Sequence, residues 1–201
     1  MPSLSNTGIF YLPATTTTPP KLIILTLPCM GLDVVRPFKP SSSCGHVFIL
    51  AAIDYFSKWA EVIPLGEVGV KQVADFIGTH LIYKYGVPHK IISDNALYFK
   101  NQVMIRLAEK YNFRHDFSSS YNPSSNGQVE AFNKVIYKIL KKMVSRSRRD
   151  WHERLPEALW AIGTTIRMTT GCTPYNLVFS SEVMLLPQGA ITIPKSGHAI
   201  H

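Results

Sequence analysis

Four carboxylates stand where a solvated charge is not the default. Asp33 interrupts the apolar run Leu32-Asp33-Val34-Val35, and Asp54 follows Val47-Phe48-Ile49-Leu50-Ala51-Ala52-Ile53. Asp94 ends Lys90-Ile91-Ile92-Ser93, and Glu130 opens a helical stretch after a polar loop. The rest of the 13 acids (Glu61, Glu67, Asp75, Glu109, Asp116, Asp150, Glu153, Glu157 and Glu182) fall at expected solvent faces, turns or caps, where a hydrated charge is ordinary. An acid inside a strand of valine, leucine and isoleucine is costly to bury unless something pairs with it. Neither Asp33 nor Asp54 has an adjacent basic residue on its own face. A divalent cation is the other partner, and carboxylate oxygens are what Mg²⁺ prefers. Two strand acids and one at a helix N-terminus can surround such a site and leave positions open for substrate oxygens. Two ions held this way activate an attacking hydroxyl and stabilise a leaving one in an in-line phosphoryl displacement. The alternative for any single strand acid is a hydrogen-bonded cap on a turn.

A phosphodiester substrate also accounts for the charge balance. Lys+Arg number 21 against Asp+Glu 13, a net charge of +8, which favours nucleic acid over a membrane surface as partner. Lys134, Lys138 and Lys141 follow Glu130 at helical spacing and share its face, and Lys142, Arg146, Arg148 and Arg149 extend the positive field. Like charges four apart repel by a few tenths of a kcal/mol per pair, a cost that a polyanion along the face removes. The competing reading is a solvated helix face whose lysines complement the C-terminal dipole.

Other classes fall away. Cys29, Cys44 and Cys172 are far apart with no Cys-x-x-Cys, which excludes a disulfide framework and a cysteine zinc site. The first thirty residues lack the pattern of a secretory signal, and the apolar run Leu22-Ile23-Ile24-Leu25 ends within a few residues at Pro28.

To bring the acids together the chain needs a sheet. Strands are expected over 32–35, 47–53, 59–63, 90–93 and 113–117, the second apolar throughout, as if covered on both faces. Val70, Val73, Phe76, Ile77, Leu81 and Tyr85 predict a helix ending at Gly86, and a second helix runs through Val103 to Tyr111. After a polar loop over 118–127, a long helix is expected to bury Val129, Phe132, Val135, Ile136, Ile139, Leu140 and Met143. Asp150 reads as the N-cap of a helix from Trp151 to about Ile166, with Glu153 as its capping-box partner. The tail after Gly171 reads as irregular, packing back through Tyr175, Leu177 and Phe179. The fold class is α/β, a mixed sheet with helices on its faces. Residues 1–29 read as an irregular, degenerate arm, 30–187 as the core and 188–201 as an irregular tail.

Several segments resemble the integrase catalytic core of long-terminal-repeat retrotransposons of the gypsy type. They are Gly31-Leu32-Asp33-Val34-Val35, the run from Phe48 through Asp54-Tyr55-Phe56-Ser57-Lys58-Trp59, Ile91-Ile92-Ser93-Asp94-Asn95, and Tyr121-Asn122-Pro123-Ser124-Ser125-Asn126-Gly127-Gln128-Val129-Glu130. Trp151-His152-Glu153-Arg154-Leu155-Pro156 and Gly171-Cys172-Thr173-Pro174-Tyr175 are similar to its later segments. Asp94 and Glu130 have 35 residues between them, the spacing of the family's Asp-Asp-35-Glu signature. The resemblance implies an RNase H-like fold with a five-stranded mixed sheet flanked by helices. It implies a polynucleotidyl transferase using two Mg²⁺ (or Mn²⁺) ions to trim the 3′ ends of element DNA and join them to target DNA. Asp33 would bridge both metals, with Asp94 and Glu130 each holding one. Asp54 would be structural, capping the turn at Tyr55-Phe56-Ser57. Asn126, Gly127 and Gln128 would approach DNA, Gly127 by letting the loop bend, while Lys134, Lys138 and Lys141 would meet backbone phosphates. The partners implied are double-stranded DNA and further copies of the chain. The location implied is the nucleus, or a cytoplasmic particle before nuclear entry.

The chain also departs from the family pattern. Arg36 stands in place of a usual glycine, Gly163 in place of an arginine, and Ser180 in place of another glycine. Leu185-Leu186-Pro187-Gln188-Gly189 blurs the usual Leu-Pro segment, and residues 1–29 carry neither the histidines nor the second cysteine of the family's zinc module. A glycine inside a helix costs about 1 kcal/mol relative to alanine. These changes keep open a non-catalytic nucleic-acid-binding remnant or domesticated protein beside the enzyme. A ribonuclease H or junction resolvase is disfavoured by the Asn-Gly-Gln-Val-Glu and Gly-Cys-Thr-Pro-Tyr segments.

Overall fold

The computed structural model describes residues 9–10, 23–24, 27–35, 38–118, 124–144 and 149–179. Strand β1 (Ile9–Phe10) pairs antiparallel with β2 (Ile23–Ile24), so the arm expected to be irregular contains a two-stranded ladder. The main sheet comprises β3 (Cys29–Val35), β4 (Phe48–Asp54), β5 (Ala60–Leu65), β6 (Lys90–Ser93) and β7 (Arg114–Phe117), in the order β5-β4-β3-β6-β7. The first three run antiparallel; β6 is parallel to β3, and β7 to β6. This is the five-stranded mixed sheet expected from the sequence. Pro64 is placed on β5, an edge strand, where a missing N–H is tolerated.

Each sheet face has its own core. Met30, Leu32, Leu50 and Ala52 pack with residues of α1 (Val70–Phe76) and α3 (Gln102–Tyr111). Between these helices a π segment (Ile77–Ile82) and the short α2 (Tyr83–Tyr85) continue α1 to Gly86, whose φ of 81° ends the run. The sequence predicted a plain α-helix here. The buried residues explain the difference: Phe76 to Leu81 and Ile77 to Ile82 are five apart, so one wider turn keeps both pairs on the core side. On the opposite face, Val35, Ile49, Ala51 and Ile53 meet α4 (Ser124–Met143) and α5 (Leu155–Gly163). β4 is apolar along its length because it feeds both cores.

The C-terminal half departs from expectation in three places. Helix α4 begins at Ser124, so Gly127 lies inside it and not in a bending loop; a methyl group at Gly127 would meet nothing within 4 Å. Val135, expected on its buried stripe, is 38% exposed, whereas Val129, Phe132, Ile136 and Leu140 are buried. Residues 151–154 form a turn, with the Glu153 and Arg154 N–H groups donating to the Asp150 carbonyl, and α5 starts only at Leu155, with Pro156 in its first turn. Proline lacks the N–H that a first turn leaves unpaired, so it fits there better than at the sixth position of a longer helix. Gly163 is the last residue of α5, where a Cβ would sit 3.3 Å from the Trp59 ring; it marks a close contact, not an interior defect. The segment after Gly171, expected to be irregular, contains α6 (Pro174–Phe179), with Thr173 Oγ1 accepting from the Asn176 N–H. Tyr175 and Phe179 pack on Trp59, as expected. Arg36, Ser180 and the 185–189 segment lie outside the described residues.

Candidate active site

Sheet register sets the first two acids. Met30 lies opposite Ile91 and Gly31 opposite Ile92; Asp33 and Asp94 each follow this last pair by two residues, so both acids come off the same end of the β3–β6 ladder, near enough for the Asp94 charge to act on Asp33. Gly31, Asp33 and Val35 share the face covered by α4. Gly31 is where the helix comes closest: a Cβ there would fall on Val129 Cγ2 and 2.7 Å from the Tyr55 hydroxyl oxygen. Val129 is fully buried, so its contact with the bare strand seats the next residue, Glu130.

Asp33, Asp94 and Glu130 line one open cleft of about 730 Å³, with Tyr98, Asn133, Lys134 and Tyr137 also in its wall. The Val34 N–H donates to Asp33 Oδ1 at 2.8 Å, and Asn133 Nδ2 donates to Oδ2 at 2.7 Å. Burial pushes the Asp33 carboxyl up to about 6; the Val34 hydrogen bond opposes this, and the charges of Asp94 and Glu130 add to it. Asp94 Oδ1 accepts from the Ala96 N–H at 3.0 Å, and Glu130 is exposed.

The donor set suits a hard divalent cation. It consists of carboxylates, each with lone pairs beyond the bonds named, and the buried Asn133 Oδ1 has no hydrogen-bond partner among the described residues. The acids share a cleft and a field, but they do not form a finished cage. Among the described residues no three Asp, Glu, His or Cys side chains stand close enough to grip an ion as they are.

The remaining candidates divide. Asp54 does what the turn reading expected: it is buried, and its Oδ2 accepts from the N–H and hydroxyl of Ser57, each at 2.7 Å. Lys134, Lys138 and Lys141 are exposed along α4, Lys134 at the cleft wall and Lys141 Nζ 5.1 Å from the Tyr137 ring centre. Gln128 is exposed and accepts from Lys58 Nζ. The side chain of Asn126, and Arg146 and Arg148, lie outside the described residues.

Two polar residues escaped the sequence reading. Asn133 is three residues after Glu130, on its helix face, a signal that could have marked it. Glu61, assigned to solvent, is buried and accepts from the Tyr85 hydroxyl, Trp59 Nε1 and Lys84 Nζ. Its partners lie more than twenty positions away except for Trp59, and nothing local signals them.

No family model matches the sequence. The transposon Tf2-3 polyprotein of Schizosaccharomyces pombe is 28% identical over 159 residues, covering 79% of this chain but 12% of the polyprotein. The chain therefore spans about an eighth of the length of the curated relatives it matches. Among solved structures, the HTLV-2 integrase catalytic core domain in complex with magnesium (trimeric form) matches with a TM-score of 0.58 and 19% identity, over 77% of this chain and 97% of that one. The chain is similar in sequence to a transposon polyprotein and has the fold of an integrase catalytic core. A chain of the simian T-cell lymphotropic virus intasome, solved in complex with PP2A regulatory subunit B56 gamma, shares this integrase-core fold with a TM-score of 0.65 and 21% identity, over 87% of this chain and 62% of that one. Among the described residues, no helix is long and apolar enough to cross a membrane.

Proposed function

We propose that this chain is the core of a metal-dependent polynucleotidyl transferase acting on double-stranded DNA, in 3′-end processing and strand transfer. The observation that carries the reading is the convergence of Asp33, Asp94 and Glu130 from β3, the end of β6 and α4 into one cleft, with the lysine face of α4 starting at its rim. Asp33, Asp94 and Glu130 would hold divalent cations, two Mg²⁺ or Mn²⁺ by the family pattern. When bound, these would supply Lewis-acid activation of water or a 3′-hydroxyl and offset charge at phosphorus. The magnesium in the HTLV-2 core supports a divalent ion in this fold. Asn133 orients Asp33, and Lys134, Lys138 and Lys141 guide the polyanion to the cleft. A chromosomal substrate assigns this work to the nucleus, and the trimeric HTLV-2 core supports self-association.

A disintegration assay tests the chemistry. Manganese-dependent strand rejoining that is lost in Asp94→Asn is the expected result. DNA binding without any rejoining by the unmodified chain would instead assign a non-catalytic nucleic-acid-binding role.

The basic face gives a separate expectation. Lys134→Glu with Lys138→Glu should weaken DNA binding for all sequences alike and flatten the dependence of log Kd on log salt by at least about one unit per lysine. Unchanged affinity across a salt titration removes these residues from the interface.

A further inference from the structure

Lys58 has a left-handed backbone, with φ of 62°, that a residue with a side chain seldom adopts. The turn around buried Asp54 holds it there. Ser57 is bonded to the Asp54 carboxylate, and the Lys58 N–H donates to the Asp54 carbonyl at 3.0 Å. So placed, the side chain reaches α4, and Nζ donates to Gln128 Oε1 and to the Tyr55 carbonyl. Gln128 precedes Glu130 by two residues, about 200° of helix rotation, so the two leave opposite sides of α4. On the cleft side the helix is held by Asn133 bonded to Asp33. The N-terminal half of α4 is thus tied on both flanks, above the Val129–Gly31 contact.

The geometry points to Lys58 as a positioning residue that fixes the rotation of the first turns of α4 over Gly31, and with it the reach of Glu130 toward Asp33 and Asp94. This rests on the reading of those three acids as the metal site. Lys58 lies outside their cleft, in the wall of a separate apolar cavity with Phe132, Val135 and Met168. A direct phosphate contact is the rival role, and it predicts different results.

The test uses the whole chain with Lys58→Met, which keeps the stem and removes the donor, and Lys58→Arg, which restores one. Three quantities are read: amide hydrogen exchange over residues 127–131, Mn²⁺ affinity by titration of the free-ion resonance signal, and DNA affinity against salt. Lys58→Met should speed exchange in that segment and weaken Mn²⁺ binding on the order of tenfold or more, as loss of an orienting group around a metal site does. Lys58→Arg should recover both, with DNA affinity and its salt slope unchanged throughout. Unaltered exchange overturns the proposal, and so does weaker DNA binding with a flatter salt slope. If Mn²⁺ binding is indifferent to Asp94→Asn, the metal reading has failed by itself, and exchange over 127–131 still decides whether Lys58 secures the helix.

Discussion

Asp33→Asn is expected to make the metal-free protein more stable at neutral pH while abolishing strand chemistry. The carboxyl is pushed up to about 6 from an ordinary 3.8, first by burial and then by the charges of Asp94 and Glu130. An acid that binds its proton more tightly folded than unfolded contributes stability that is complete below pH 3.8 and is lost as pH rises through about 6. At neutral pH the ionised side chain therefore works against the fold, by roughly 1–3 kcal/mol. Asparagine is nearly the same size, carries no charge, and keeps an oxygen for the Asn133 or Val34 N–H. Thermal melts without metal should show the wild type gaining stability from about pH 7.5 down to about pH 5.5, and the variant losing most of that slope. Saturating Mn²⁺ should stabilise the wild type more than the variant, because binding to the native state alone raises stability. The chemical loss should be at least about a thousandfold, since several kcal/mol of transition-state charge stabilisation go with the ligand. A variant that melts lower than wild type at neutral pH would show that the Asp33 charge is already compensated and remove the strain argument.

Gly31→Ala should be strongly damaging for a single methyl group. The new carbon would overlap Val129 Cγ2 and press on the Tyr55 ring, 2.6 Å from its Cε1, between two packed elements. Overpacking of this kind costs typically about 1–3 kcal/mol, and occasionally more. Relief by moving α4 outward would carry Glu130 and Asn133 away from Asp33, and a displacement of about 1 Å at reacting groups is enough for roughly a hundredfold in rate. Denaturant unfolding should show the stability loss, and rejoining assays the rate loss. Val129→Ala in the same chain should restore part of both, giving a coupling outside the range of independent sites. Additive effects in the double variant would mean that the helix does not rest on Gly31.

The contrast between these residues shows where local pattern stops. Asp33, Asp94 and Glu130 stood out as candidates because the first breaks an apolar segment, the second ends one and the third opens one, and periodicity is a short-range property that the sequence displays directly. The strands are legible for the same reason, and β6 falls on the expected residues, Lys90 to Ser93. The Thr173-Pro174 start of α6 and the Pro156 start of α5 were also written in local code, and reading them as such would have placed both helices.

Sequence alone determined which acids are candidates, which strands carry two of them, and that a lysine face follows the third. Tertiary structure decided what those residues touch. The Asn133–Asp33 bond joins positions 100 apart and Lys58–Gln128 positions 70 apart, and Glu61 finds Tyr85 across 24. Hydrogen-bonding capacity is present in every such side chain, but its use depends on which partners the packed sheet and helices bring within 3 Å or so. Gly31 makes the same point for shape: a missing side chain has no pattern of its own, and only the helix lying on it reveals why the space must stay empty.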